Sequence, residues 1–239
     1  MRLAIPIAVA LLSAAVAQEF EVASVKINTS GRQQSSLSRS HGQVTFENVS
    51  LRECIAFGYD IGEGQDYALQ GPVWLDSVRF DVSAKTSPEA SREQITRMVR
   101  ALLAERFRLK IHRETRELNV YVLLVARGGP KLSPASDKED SFSFGPGRVS
   151  GKALSMVGLA NRLSGRVFKL GVPVIDSTGL TGTFDFTLAW RPDDVRADDS
   201  AAASLFTAIQ EQLGLKLQRA RRPVEIWVVD YAERIPVPN

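Results

Sequence analysis

Cysteine is nearly absent from this chain of 239 residues: Cys54 stands alone, so no intramolecular disulfide can form and the fold must rest on its core. Histidine is almost as scarce. His41 and His112 form no His-x-x-x-His or His-x-x-Glu-His spacing and have no cysteine partner, which removes the usual zinc ligand sets. No Gly-x-Ser-x-Gly turn exists to present a nucleophilic serine. Gly145-Pro146-Gly147 and Gly179-Leu180-Thr181-Gly182 lead into neither a Lys-Ser/Thr pair nor the dinucleotide spacing, so neither is a phosphate cradle. There is no dense Lys/Arg block. Lys+Arg number 30 against 27 Asp+Glu, and a net charge of +3 gives no footprint for nucleic acid despite a pI near 9.1.

Hydrophobic residues make up 44% of the chain, enough for a sizeable core and too many for extended disorder. The first seventeen residues carry Arg2, an apolar run from Leu3 to Ala14, and the small-residue site Ala15-Val16-Ala17. This reads as an export signal cleaved before Gln18, because the run is shorter than the roughly 20 residues that span a bilayer and Pro6 interrupts it. Removal of Arg2 leaves a net charge of +2. No later segment is long enough to span a bilayer, and no cysteine at the cleavage site can take a lipid. The expected location is the periplasm or the extracellular space.

From about Gln43 onward the chain reads as one unit written twice. At an offset of 105, Val44 falls on Val149, Ser50 on Ser155, Leu51 on Met156 and Cys54 on Leu159. At 104, Phe80-Asp81-Val82 falls on Phe184-Asp185-Phe186; at 106, Leu109-Lys110-Ile111 falls on Leu215-Lys216-Leu217. The first unit predicts a helix from Leu51 to about Phe57 behind the capping box Ser50–Glu53, and a strand over Arg79 to Ala84. A second helix follows Ser91, with Ile95, Met98, Val99, Leu102 and Leu103 on one face. A hairpin of Leu109–His112 and Leu118–Val125 is expected to turn through Arg113–Glu117. The second unit repeats this order with helices at Ser155–Leu163 and Leu205–Leu213, and strands at Arg148–Val149, Gly182–Ala189, Leu215–Gln218 and Val224–Val229. An additional strand at Phe20–Val25 is followed by an exposed loop over Asn28–Gly42. The expected class is α+β: two tandem units with small mixed sheets, each carrying helices on one face. The expected division is signal 1–17, first unit 18–130, polar linker 131–147 and second unit 148–239. A further polar break spans Arg191–Ser200.

Residues with chemistry are few, and no catalytic, cofactor-binding or metal-binding residue is assigned. His112 lies at a strand end and reads as a partly exposed sheet residue; His41 sits in a serine-rich loop. Asp81 and Asp185 occupy matching positions, and strand alternation places both toward solvent. Trp74 reads as a core anchor in preference to an exposed recognition aromatic. Trp227 should stand on the opposite sheet face from Ile226 and Val228. Cys54, on the apolar stripe with Leu51 and Ile55, should be buried and inert.

The stretches Phe20–Lys26, Gly71-Pro72-Val73-Trp74-Leu75, Glu105–Glu114, Gly128–Leu132, Asp176–Phe186 and Glu211–Leu217 resemble a soil-associated family of secreted proteins expanded in Solibacter and other acidobacteria, a domain of unknown function. Some members of that family join the module to a membrane metallopeptidase of the antibiotic-sensing transducer type, which implies an extracytoplasmic sensing or binding role. Each unit also resembles the small strand-helix-strand domain at the N-termini of secretins and TonB-dependent receptors. The functional expectation is a non-catalytic, exported binding, interaction or sensing module. Its expected partner is an envelope protein or peptide taken by strand addition. The alternatives are an envelope hydrolase built around His112, Glu114 and nearby serines, and a structural envelope component.

Overall fold

The computed structural model describes residues 19–32, 34–62, 64–136, 139–165, 167–192 and 203–238. The expected signal, 1–17, lies outside these residues, as does most of the polar break after Arg191. The fold is α+β, with four helices and three four-stranded sheets among the described residues. Two compact units divide the chain. One takes the residues up to Tyr59 with Trp74–Leu109 and the C-terminal segment from Glu233; the other takes Asp60–Val73 and Lys110–Ala232.

The first unit is built on an antiparallel sheet in the order β1 (Val22–Ile27), β5 (Arg79–Lys85), β3 (Gln43–Ser50), β2 (Ser36–Ser40). Helix α1 (Leu51–Gly58) starts at Ser50, where the expected capping box closes: the Glu53 amide donates to the Ser50 hydroxyl and the Ser50 amide to the Glu53 carboxylate. Helix α2 (Arg92–Phe107) begins with the same device at Ser91 and Gln94. Leu51, Ile55, Leu75, Phe80, Leu103 and Phe107 are fully buried, and the rings of Phe80 and Phe107 meet edge to face at 5.1 Å. Leu75 fills the core place expected of Trp74, which is only half-buried. Asn28–Gly42 is not all loop. Its end forms β2, a fully exposed edge strand that needs no apolar alternation, and His41 and Gly42 make the two-residue left-handed turn into β3.

The second unit carries a corresponding antiparallel sheet in the order β7 (Ser133–Pro134), β11 (Phe184–Ala189), β9 (Arg148–Leu154), β8 (Ser141–Gly145). Two of these strands, β7 and β8, lie in the stretch expected as a linker. Helices α3 (Met156–Leu163) and α4 (Leu205–Leu213) start at Ser155 and Ser204, whose hydroxyls accept from Gly158 and Thr207 amides. Leu159, Leu163, Leu188, Ala208, Ile209 and Leu215 are buried in one cluster with Tyr121 and Leu123.

The expected hairpin within each half does not form. Lys110–Val125 is one 16-residue strand, β6, and pairs antiparallel along its length with the 17-residue β12 (Leu215–Tyr231). β10 (Val174–Asp176) joins β6 in parallel and β4 (Leu69–Gln70) joins β12 in parallel, completing a mixed sheet. The segment Arg113–Glu117 holds no Gly, Pro, Asn or Asp to set a turn. Its charges are satisfied across the ribbon instead: Arg113 pairs with Glu225 at 3.1 Å and lies 4.6 Å over the Trp227 ring. The register puts Trp227 opposite Arg113 and Val228 opposite His112, so Trp227 does face away from Ile226 and Val228.

Candidate functional site

The two acids expected to be solvated do structural work. Between Phe46 and Val49 the β3–β5 register slips by one residue, leaving Asn48 in a left-handed conformation opposite Asp81. The Asn48 amide donates to Asp81 Oδ1 at 2.9 Å, and Asn28 donates to the same oxygen at 2.7 Å. The register slips again between β9 and β11, Ala153 is left-handed, and its amide donates to Asp185 Oδ1 at 2.8 Å. Each carboxylate thus satisfies a backbone donor that the bulge removes from the ladder. Around Asp81 a polar groove of about 820 Å³ is lined by Lys26, Asn28, Thr45, Asn48 and Ser83. Asn28 and the Asn48 amide are already bonded to Asp81, and the Ser83 hydroxyl accepts from Gln43.

His112 and Glu114 are brought together, and Asp230 joins them. His112 Nδ1 is 2.9 Å from Asp230 Oδ2, and Nε2 is 3.9 Å from Glu114 Oε2. Arg116 grips Glu114 through two bonds of 2.9 Å and also bonds the Gln70 side chain. That grip holds the Glu114 carboxyl below the usual carboxylate range, with His112 adding to it. The row is partly exposed on the ribbon face, and among the described residues no hydroxyl is bonded to His112. Among the described residues no group of three His, Cys, Asp or Glu is placed to hold a metal ion.

The feature with the shape of a binding site lies in the second unit. A cleft of about 900 Å³ is walled by Tyr121, Phe168, Trp190, Leu205 and Phe206, with Phe144 and Gly147 of the β8–β9 hairpin on the other side. Its volume is in the range of small-molecule sites. Phe168 and Trp190 stack at 5.2 Å, and Tyr121 meets Phe206 edge to face at 5.3 Å. Three apolar residues stay exposed at the rim: Phe144 at 67%, Phe206 at 41% and Val167 at 37%. Gly147, at φ +65°, turns the hairpin so that its carbonyl accepts from the Trp190 amide at 2.8 Å; a Cβ there would strike the Trp190 carbonyl. Composition hid this cleft, because Phe142 and Phe144 lie in a polar stretch. Two phenylalanines spaced i, i+2 were the available strand signal.

The polar stretch around Thr178–Gly182 is a connection into β11, with Gly179 and Gly182 at positive φ and Asp176 accepting from the Thr178 amide and hydroxyl. Cys54 is 3% exposed, and burial pushes its thiol up to about 12.

Residues 52–232 match the family described as a protein of unknown function (DUF3738), and this chain belongs to that family. No curated protein and no solved structure matches it. Among the described residues no helix is long and apolar enough to cross a membrane.

Proposed function

We propose that this family member is an exported, non-catalytic binding module whose ligand enters the aromatic cleft of the second unit. The observation that carries the reading is the cleft itself: a pocket of about 900 Å³ with aromatic walls and exposed Phe144 and Phe206 at its rim. Exposing such surface is unfavourable unless something covers it. The row around His112, by contrast, is a chain of charges paired with one another, with no hydroxyl bonded to His112 among the described residues.

A likeness between the two four-stranded antiparallel sheets supports the same assignment. The sheets β1-β5-β3-β2 and β7-β11-β9-β8 share strand order, and both carry the left-handed bulge answered by an aspartate. Arg39 stands opposite Val44 as Phe144 stands opposite Val149. In the first unit the Arg39 guanidinium bonds the carbonyls of Pro88, at 3.0 Å, and Ala90, so the protein's own side chain is spent there. In the second unit the corresponding Phe144 is left exposed. A peptide added as a strand is a second mode of binding: β8 ends its sheet, with Phe144 beside the open edge.

Export and binding are tested separately. The intact mass of chain recovered from the envelope or medium should begin at Gln18; a chain retaining Met1 would refute cleavage there. A neutral apolar fluorophore should bind with an affinity that falls in Phe144→Ser and Phe206→Ser. Binding indifferent to both substitutions would remove the cleft as the site.

A further inference from the structure

We infer that the cleft selects a small amphipathic anion: an apolar body of aromatic size carrying one carboxylate or sulfonate. This inference rests on the binding-module reading above and names the ligand class. The cleft continues around Tyr121 and Leu170 into a second hollow of about 540 Å³, lined by Asn119, Val172, Arg219 and Arg221. Across both hollows the charged lining side chains among the described residues are Lys169, Arg219 and Arg221, all cationic, with no carboxylate among them. An apolar wall beside cations without acids complements a molecule with the opposite arrangement.

The ribbon register explains why the cations are presented together. Tyr121 stands opposite Arg219 and Asn119 opposite Arg221, so all four side chains share one face, the face that also sends Leu123 into the core. Arg219 is fixed before any ligand arrives: its Nε donates to the Tyr121 hydroxyl at 3.0 Å and its guanidinium lies 5.7 Å from the Tyr121 ring centre. An arginine already oriented by an aromatic ring loses less freedom on engaging an anion. Neither Arg219 nor Arg221 has a carboxylate partner among the described residues. Elsewhere on the same ribbon Arg113 and Arg116 are paired with Glu225 and Glu114. Two arginines without a carboxylate partner among the described residues, next to an aromatic cleft and across the ribbon from a strand whose arginines are paired, mark the place where a charge is to be supplied from outside.

The test uses the full chain and anilinonaphthalene sulfonate, whose emission rises on apolar burial, displaced by 2-naphthoate, 2-naphthylmethanol or 2-naphthylmethylammonium. Naphthoate should displace the dye at a concentration about tenfold lower than the alcohol, the advantage expected of two partly solvated charge contacts, with the ammonium weakest. Arg219→Gln combined with Arg221→Gln should bring acid and alcohol to the same affinity and leave the alcohol's own affinity within about twofold. Phe144→Ser should weaken all three, and Lys152→Gln, at an exposed residue of β9 that lines neither hollow, should change none. Far-UV circular dichroism checks that each variant folds. Equal affinity for acid and alcohol in the unaltered chain, or an acid preference that survives the double substitution, would overturn the anion selection while leaving the binding module standing. Displacement by a peptide or by added chain, but not by naphthoate, would also overturn it. If neither dye nor any naphthyl compound binds, the binding-module reading itself fails.

Discussion

Asp81 and Asp185 offer the sharpest separation between two physical pictures of one position. Were they merely solvated strand acids, alanine would change stability by less than about 0.5 kcal/mol. The structure instead makes each the acceptor for a bulge amide on a nearly buried residue, Asn48 at 2% exposure and Ala153 at 4%. Leaving a buried donor unsatisfied costs about 1–3 kcal/mol. Asp81 also holds the Asn28 side chain, whose amide can turn to water once released, so that second bond adds little. Asp81→Ala and Asp185→Ala should therefore each lose about 2 kcal/mol, with Asp81 the larger. Asp→Asn at either position keeps a carbonyl oxygen able to accept the same amide and should lose about 0.5–1 kcal/mol. Urea unfolding followed by circular dichroism gives the midpoints, and amide exchange at Asn48 and Ala153 gives a local readout that global destabilisation cannot imitate. Alanine variants within 0.5 kcal/mol of the parent, or asparagine variants as damaging as alanine, would refute the bulge-capping argument.

Other consequences are as direct. A Cβ at Gly151 would lie 2.6 Å from the Phe186 ring, so Gly151→Ala should destabilise by about 1–3 kcal/mol in chemical denaturation. The Cys54 thiol, with its ionisation pushed up to about 12, should react with a disulfide reagent at pH 8 far more slowly in the folded chain than in denaturant. Cys54→Ala should lose about 1 kcal/mol and leave dye binding unchanged. Burial raises the Glu53 carboxyl, but the Ser50 amide, the Ser35 and Ser50 hydroxyls and Arg79 outweigh it and hold the group below its ordinary 4.5. Its contribution to the α1 cap is thus present above the unfolded-state value and lost as pH falls through the folded-state value. An NMR titration should place the Glu53 midpoint below 4.5, and Glu53→Gln should flatten that part of the stability profile.

How far the sequence carried depends on which physical signal each element used. Helices were legible because cap and stripe agree: Ser50 with Glu53, Ser91 with Gln94, and Leu205 to Leu213 behind Ser204 are local patterns that tertiary contacts did not overrule. The buried faces followed from the same stripes, as with Cys54 and Leu159. Edge strands escaped. β2 and β8 sit on the rims of their sheets with their sequences mostly exposed, so alternation, the signal for a half-buried strand, is missing from Ser36–Ser40 and muted in Ser141–Gly145. The pairing of β6 with β12 escaped for a different reason. Partners 90 to 121 residues apart leave no local trace, and a run of charges looks the same whether it turns or continues as an exposed strand.

Titratable residues draw attention in a sequence because their chemistry is visible in one letter, yet His112, Glu114, Asp81 and Asp185 are all bonded to the protein itself. A cleft with aromatic walls has no such letter code. Its marks are residues left over after the fold has been satisfied: Phe144 exposed where Arg39 is bonded, and Arg219 and Arg221 without acidic partners among the described residues where Arg113 and Arg116 have them. Both comparisons need the strand registers, since only they say that Phe144 corresponds to Arg39 and that Arg219 shares a face with Tyr121. Surplus apolar surface and surplus positive charge meeting at Tyr121 is what distinguishes this cleft from the polar groove of the first unit, where Asp81 already accepts from both Asn28 and Asn48.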